Sequence, residues 1–171
     1  MSAFEITERP IEGAKFEEKA TATQLGSEAF LAALDKVLAL EGVKYVAWSQ
    51  YTPYFNDGDA CEFSVHAVAV ALDESFHGDD LDEDNLEGLY GSAWEEPLFG
   101  EYDLYEYLAS NYNNKKFELN GKPTKAIYDG LREFEGLLQS SFEYLVKANF
   151  GDHAQVRADA DGFSVSEYEH D

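Results

Sequence analysis

The spacing of apolar side chains along the chain changes between a helical period and a strand period, and each period predicts an element. Between residues 28 and 41 the apolar positions recur every three or four residues, which predicts a helix. Ser27 is expected to be its N-cap, and Gly42 is expected to stop it. The apolar positions of this helix are Phe30, Leu31, Leu34, Val37 and Leu38.

A longer helical pattern covers residues 123–149 and predicts the longest element, a helix that crosses the sheet. Pro123 suits the first helical position, and Gly151 follows the last apolar residue, Phe150, as a terminator. A third and shorter helix is expected over 102–112, where Leu104, Tyr105 and Leu108 are the apolar residues.

Strand patterns occupy two neighbouring segments, 43–50 and 61–72. In the second segment Phe63, Val65, Ala67, Ala69 and Ala71 alternate with Glu62, Ser64, His66, Val68 and Val70, a period of two that predicts a strand. The intervening Asn-Asp-Gly-Asp stretch has the composition of a turn. We therefore expect a β-hairpin whose long loop is flanked by aromatic residues.

A second hairpin is predicted near the end of the chain, where 155–159 and 163–168 flank an Asp-Gly pair. Residues 1–26 are expected to form an extended arm with one edge strand. The fold class that follows is α+β: a mostly antiparallel sheet of about four strands, with two or three helices packed on one face. We expect one domain over 1–171, in which 73–101 form an acidic, irregular stretch.

Charge is distributed unevenly in this chain of net charge −23. Residues 45–114 contain no lysine or arginine but 16 aspartates and glutamates. Like charges repel in a compact state, so a cationic partner that offsets this repulsion is the first expectation. The same charge argues against direct binding of nucleic acid or of an anionic membrane, because both depend on lysine and arginine.

The remaining composition predicts a folded protein of a reducing compartment. Aromatic residues make up 15 % of the chain, which acidic disordered tails do not reach. Cys61 is the one cysteine, so no intrachain disulfide can form. No signal peptide and no apolar run of membrane-spanning length is present, so a cytoplasmic location is expected.

Metal-binding patterns are incomplete. Asp80, Asp82 and Asp84 match the first three ligand positions of a calcium loop, but Asn85 replaces the required glycine and Gly91 replaces the bidentate glutamate. Loose binding of a hard cation by these carboxylates, or by the 56–62 loop, stays open as an alternative. The one cysteine and four histidines are too scattered for a zinc site, and no cofactor is expected.

Catalytic patterns are also missing, so the chain is expected not to be an enzyme. Cys61 and His66 are five residues apart and would face opposite sides of a strand. Ser64 and His66 share a face but lack the context of a nucleophile elbow. The sequence has no Walker A motif, no dinucleotide fingerprint and no H-E-x-x-H motif.

Aromatic and acidic residues together mark the predicted contact surface. Aromatics flanked by carboxylates suit a basic partner, through cation–π contacts and ion pairs at the rim. The alternative is that Trp48 and Phe55 are core residues and the tyrosines line the sheet. The candidate partner-binding residues are Trp48, Tyr51, Tyr54, Phe55, Asp57, Asp59, Asp79, Asp80, Asp82, Glu83 and Asp84.

Two strings of the sequence resemble signatures of small acidic proteins of tailed bacteriophages. They are WSQYTPYFNDGDACEFSVH at 48–66 and the ending from FGDH at 150–153 to EYEHD at 167–171. The resemblance implies a phage or prophage origin and expression in a bacterial cytoplasm. That family is uncharacterised, so the resemblance implies no activity and no site residues.

The first functional hypothesis is a non-catalytic, phage-encoded inhibitor that binds a basic host protein, such as a nucleic-acid-binding enzyme, through an acidic, DNA-mimic-like surface. Residues 73–106 hold 13 carboxylates for such a surface. The alternatives are a structural or assembly protein of the phage, a carboxylate metal-binding module, and an immunity protein against a basic toxin.

Overall fold

The computed structural model describes residues 5–13, 24–54, 58, 61–78, 96–108 and 113–168. The strands of its main sheet are β1 (Ile11–Glu12), β2 (Val43–Tyr51), β3 (Ser64–Leu72), β8 (Ala154–Ala158) and β9 (Phe163–Glu167). They lie in the order β1-β9-β8-β2-β3, and the prediction of an α+β fold is confirmed. All neighbouring strands in this sheet pair antiparallel except β1 and β9, which pair parallel.

Three helices accompany the sheet, and two small two-stranded ribbons lie between them in sequence. The helices are α1 (Ser27–Leu38), α2 (Lys125–Leu138) and α3 (Glu143–Phe150). One ribbon pairs β4 (Glu106–Tyr107) with β5 (Lys115–Lys116), and the other pairs β6 (Glu118–Leu119) with β7 (Lys122–Pro123).

The core lies between the helices and one face of the sheet. The fully buried Trp48 of β2 packs edge-on against Phe134 of α2 and Phe150 of α3, with ring centroids 6.1 and 6.0 Å apart. Phe30 of α1 packs against the same group and against Phe163 of β9. Burying these large apolar rings is the main favourable contribution to folding.

A bulge in β3 corrects the predicted alternation of that strand. Ser49 pairs with His66 and Ala47 pairs with Ala69, so two β3 residues oppose Trp48, and Ala67 has a φ of +51°. The extra residue shifts the period by one position. After the bulge the core therefore receives Val68, Val70 and Leu72, while Ala69 and Ala71 pack on the opposite face.

The predicted helix over 123–149 is two helices rather than one. Residues 139–142 form turns between α2 and α3, and Pro123 lies in β7 instead of opening a helix. Phe142 N–H bonds back to Leu137 O at 2.9 Å, which tightens the chain there and ends the α-helical pattern. Gly151, with a φ of +93°, ends α3 as predicted.

Smaller corrections concern helix starts and the 102–112 segment. Gly26 is the N-cap of α1, Ser27 is already helical, and the helix ends at Leu38, earlier than predicted. The short helix expected over 102–112 is absent from the described part of that segment. A 3₁₀ turn at Glu101–Asp103 is followed there by strand β4.

The acidic stretch is described only at its two ends. A 3₁₀ turn at Glu74–Phe76 follows β3, and Phe99 pairs with Val70 across the free edge of that strand. Residues 79–95 lie outside the described residues.

Candidate functional site

Four strand ends lie together at one end of the main sheet. Tyr51, the last residue of β2, pairs with Ser64, the first residue of β3. Gln50 pairs with Ala154 of β8, which in turn pairs with Glu167 of β9. We call this end of the sheet the loop end. It comprises residues 50–54, 64–66, 151–154 and 167–168.

Two aromatic stacks lie at the loop end. The Tyr51 ring stacks on the His66 imidazole, with centroids 4.2 Å apart, and Tyr168 packs 5.5 Å from Tyr51. The Tyr54 ring stacks on His153 at 4.8 Å and 18°. Burial, and then the neighbouring Tyr168, raises the pKa of Tyr51 above its ordinary value. Tyr51 is thus a half-buried support, whereas Tyr54 is 69 % exposed.

Asp152 fixes the chain on both sides of these stacks. Its carboxylate accepts bonds from the Thr52 backbone N–H at 2.7 Å and from the Thr52 hydroxyl at 2.6 Å. It also accepts the backbone N–H of His153 at 2.9 Å. Charge-assisted bonds of this kind are stronger than neutral ones, so the start of the β2–β3 loop is held against the turn that follows α3.

A buried glutamine also links the end of β2 to the end of α3. Gln50 is fully buried; its Oε1 accepts the Trp48 indole N–H at 2.9 Å, and its Nε2 donates to the carbonyls of Val146 and Gly151. The end of α3 is therefore hydrogen-bonded to β2 next to the segments that contain Thr52 and Asp152. Buried polar groups with all partners present specify one arrangement of the chain.

Two helix carboxylates feel the charge of a second carboxylate elsewhere in the chain, Glu143 that of Glu62 and Glu135 that of Glu101. Burial, and then the charge of Glu62, raises the pKa of Glu143 at the start of α3, and Lys147 opposes this shift. The pKa of Glu135 in α2 is raised by burial and then by the charge of Glu101. Each raised pKa means that the folded chain holds negative charge where that charge is unfavourable.

The cationic side chains of the described residues are already engaged within the molecule. Each forms an ion pair with a carboxylate or lies over an aromatic ring. The ion pairs join Arg9 to Asp35, Lys36 to Glu133, Lys44 to Glu96, Lys116 to Glu118, Lys125 to Asp129 and Arg132 to Glu101. Lys115, Lys122, Lys147 and Arg157 lie over the rings of Tyr105, Phe76, Phe63 and Tyr45.

At the loop end the Thr52 hydroxyl donates to the Asp152 carboxylate. In the described ranges no group of three or more histidine, cysteine, aspartate or glutamate side chains could hold a metal ion. Cys61 is exposed.

The structure divides the predicted contact residues into three groups. Tyr51 and Tyr54 lie at the loop end. Trp48 is not available for partner contact, because its ring is fully buried and its N–H is bonded to Gln50. Residues outside the described part of the chain are Phe55, Asp57, Asp59, Asp79, Asp80, Asp82, Glu83 and Asp84.

Sequence reasoning missed the contribution of the segments around His153 and Tyr168. The Asp-Gly turn between β8 and β9 already implied that these two residues lie near each other, and Tyr168 N–H indeed bonds to His153 O at 2.7 Å. The pairing of β8 with β2, which brings His153 to Tyr54, is a long-range contact without a local signal.

No protein-family model, no curated protein and no solved structure matches this chain. The resemblance to phage proteins therefore stays a prediction. In the part of the chain that the structure describes, no helix has the length and apolarity to cross a membrane.

Proposed function

We propose that this chain is a non-catalytic protein that binds a basic protein partner through its carboxylate-rich surface, with the aromatic residues of the loop end as part of the contact. The observation that carries the proposal is the charge distribution. The net charge is −23, and the cationic side chains that the structure describes are engaged internally. The surplus of carboxylates is thus left to attract an external cation.

The carboxylate pairs support the same function. Burial, and then the charge of Glu62, makes ionised Glu143 unfavourable in the isolated chain and raises its pKa. A lysine or arginine of a partner would offset the repulsion from Glu62, which is the smaller of these two causes.

The kind of partner that we propose is a nucleic-acid-binding protein of a bacterial host, with this chain as a phage-encoded inhibitor. Duplex DNA carries one negative charge per ~1.7 Å of its axis. A protein surface of similar charge density can occupy a basic DNA channel and uses the same electrostatic steering. The 13 carboxylates between 73 and 106 are the proposed source of such a surface.

A pull-down from bacterial lysate tests this function. The immobilised full-length chain is incubated with lysate at low salt, and bound proteins are eluted in one arm by salt and in another by competing duplex DNA. We expect one basic nucleic-acid-binding protein, identified by mass spectrometry, in both eluates. Recovery of the chain alone, or of proteins that neither salt nor DNA releases, would contradict the proposal.

A further inference from the structure

Tyr54 presents an aromatic ring to solvent and stacks on His153. It is 69 % exposed, and the imidazole of His153 stacks almost parallel to it at 4.8 Å. His153 has a φ of +59°, a backbone conformation that few residues other than glycine adopt. That conformation is held from both sides, because His153 N–H bonds to Asp152 and His153 O accepts from Tyr168 N–H.

Two carboxylates lie at the same end of the sheet as this ring stack, and Asp152 Oδ1 is 3.5 Å from His153 Nε2. Asp152 is adjacent to His153 in sequence, and its three donors fix the position of its negative charge beside the stack. The exposed Glu167 lies opposite Ala154, the residue after His153, and thus at the same end of the sheet. A flat aromatic face beside a fixed carboxylate is a combination that distinguishes between the two cationic side chains of proteins.

We propose that the Tyr54–His153 stack binds an arginine side chain of the basic partner, and that the Asp152 carboxylate attracts the guanidinium. Guanidinium is planar and weakly hydrated, so it can lie on an aromatic face while its N–H groups reach a carboxylate. The ammonium of lysine is a compact, strongly hydrated charge and gains less from such a surface. This inference rests on the proposed function, because it names the side chain through which the basic partner is recognised.

Two peptides of equal charge test the inference. One carries several arginines, the other carries lysine at each of those positions, and both have a fluorescent label for anisotropy titrations against the full chain. We expect the arginine peptide to bind about twofold more tightly, the lower end of what one exposed cation–π contact supplies, because lysine keeps part of that attraction. Tyr54→Ala should abolish this preference, and Tyr54→Phe should keep it.

Tyr102→Ala is the matched control. Tyr102 is also an exposed tyrosine, at 60 %, but it lies beside Tyr105 rather than at the loop end. The control should leave the arginine preference unchanged. Circular dichroism of each variant shows whether it is folded before its affinity is interpreted.

The outcomes separate the inference from the proposed function. If both peptides bind with equal affinity, are released by salt and bind the Tyr54→Ala variant as well as the unchanged chain, the arginine site is refuted while the proposed function stands. If neither peptide binds at low salt, the arginine site is refuted, and the pull-down decides the proposed function separately. An arginine preference that Tyr54→Ala removes and Tyr102→Ala does not would establish the site.

Discussion

Replacing Gln50 with leucine tests whether the buried glutamine holds the loop end together. Leucine has a similar size, so the change removes the hydrogen-bonding groups and leaves little cavity. It would leave the Trp48 indole N–H and the Gly151 carbonyl without the partner they have in the folded chain. The carbonyl of Val146 loses a bond too, but it lies within α3, where helical carbonyls face a backbone donor one turn on.

The expected loss follows from these groups. Each buried polar group left without a partner costs about 1–3 kcal/mol, and the more apolar leucine offsets part of this cost. We therefore expect Gln50→Leu to lower the free energy of unfolding by about 2–4 kcal/mol, a large share of the ~5–15 kcal/mol that typical domains possess. Urea denaturation followed by far-ultraviolet circular dichroism measures this difference.

Gln139→Leu is the control for the substitution itself. Gln139 is exposed, and its Nε2 makes one bond, to Val65 O at 3.0 Å, so its replacement should cost less than about 1 kcal/mol. Equal losses in the two variants, or a loss of under about 1 kcal/mol for Gln50→Leu, would refute the reasoning.

Two further predictions concern charge and backbone conformation. Glu143→Gln should stabilise the chain at neutral pH, because burial and then the charge of Glu62 raise the pKa of Glu143, so its ionisation opposes folding. The gain should shrink as pH falls through this raised pKa towards the ordinary glutamate value, which denaturation across that pH range measures. Glu133→Gln is the control and should show no such gain, because the Glu133 carboxylate pairs with Lys36. Gly42→Ala should destabilise by about 2 kcal/mol or more, because Gly42 has a φ of +89° and a Cβ there would overlap the Phe76 ring. Gly121→Ala has comparable strain at a φ of +76° but open space, so thermal unfolding should show a clearly smaller loss; equal losses would contradict the proposed overlap.

Local patterns were sufficient to predict most elements of the fold. The helical spacing that starts at Phe30 and the turn chemistry between β8 and β9 both act within a few residues, so α1 and the second hairpin were predicted close to their observed positions. The sheet order was not accessible in this way. The parallel pairing of β1 with β9 joins residues about 150 positions apart, and no short-range pattern encodes it.

The errors arose where a pattern continued across a break in the backbone. The apolar spacing of α2 continues into α3, so the turns at 139–142 were invisible to a periodicity argument. Similarly, a run of small and β-branched residues in β3 conceals the bulge at Ala67, because alanine and valine fit either face of the sheet. Neither break contains a glycine or proline that would mark it in the sequence.

The candidate site was predictable only in part. Clustering of aromatics beside acids selected the segment that holds Tyr51 and Tyr54, which the structure places at the loop end. The same argument included Trp48, because sequence alone does not separate a buried tryptophan from an exposed one. His153 entered the site through strand pairing, which depends on the whole sheet.

The central claim is that carboxylates of this chain bind a cationic protein surface, and its most direct test is the salt dependence of binding to the basic protein recovered in the pull-down. We expect affinity to fall steeply as ionic strength rises, because screening weakens exposed charge pairs. The double variant Glu62→Gln/Glu143→Gln should bind more weakly at low salt and show a shallower dependence. An affinity that does not change when salt is raised severalfold would contradict the account.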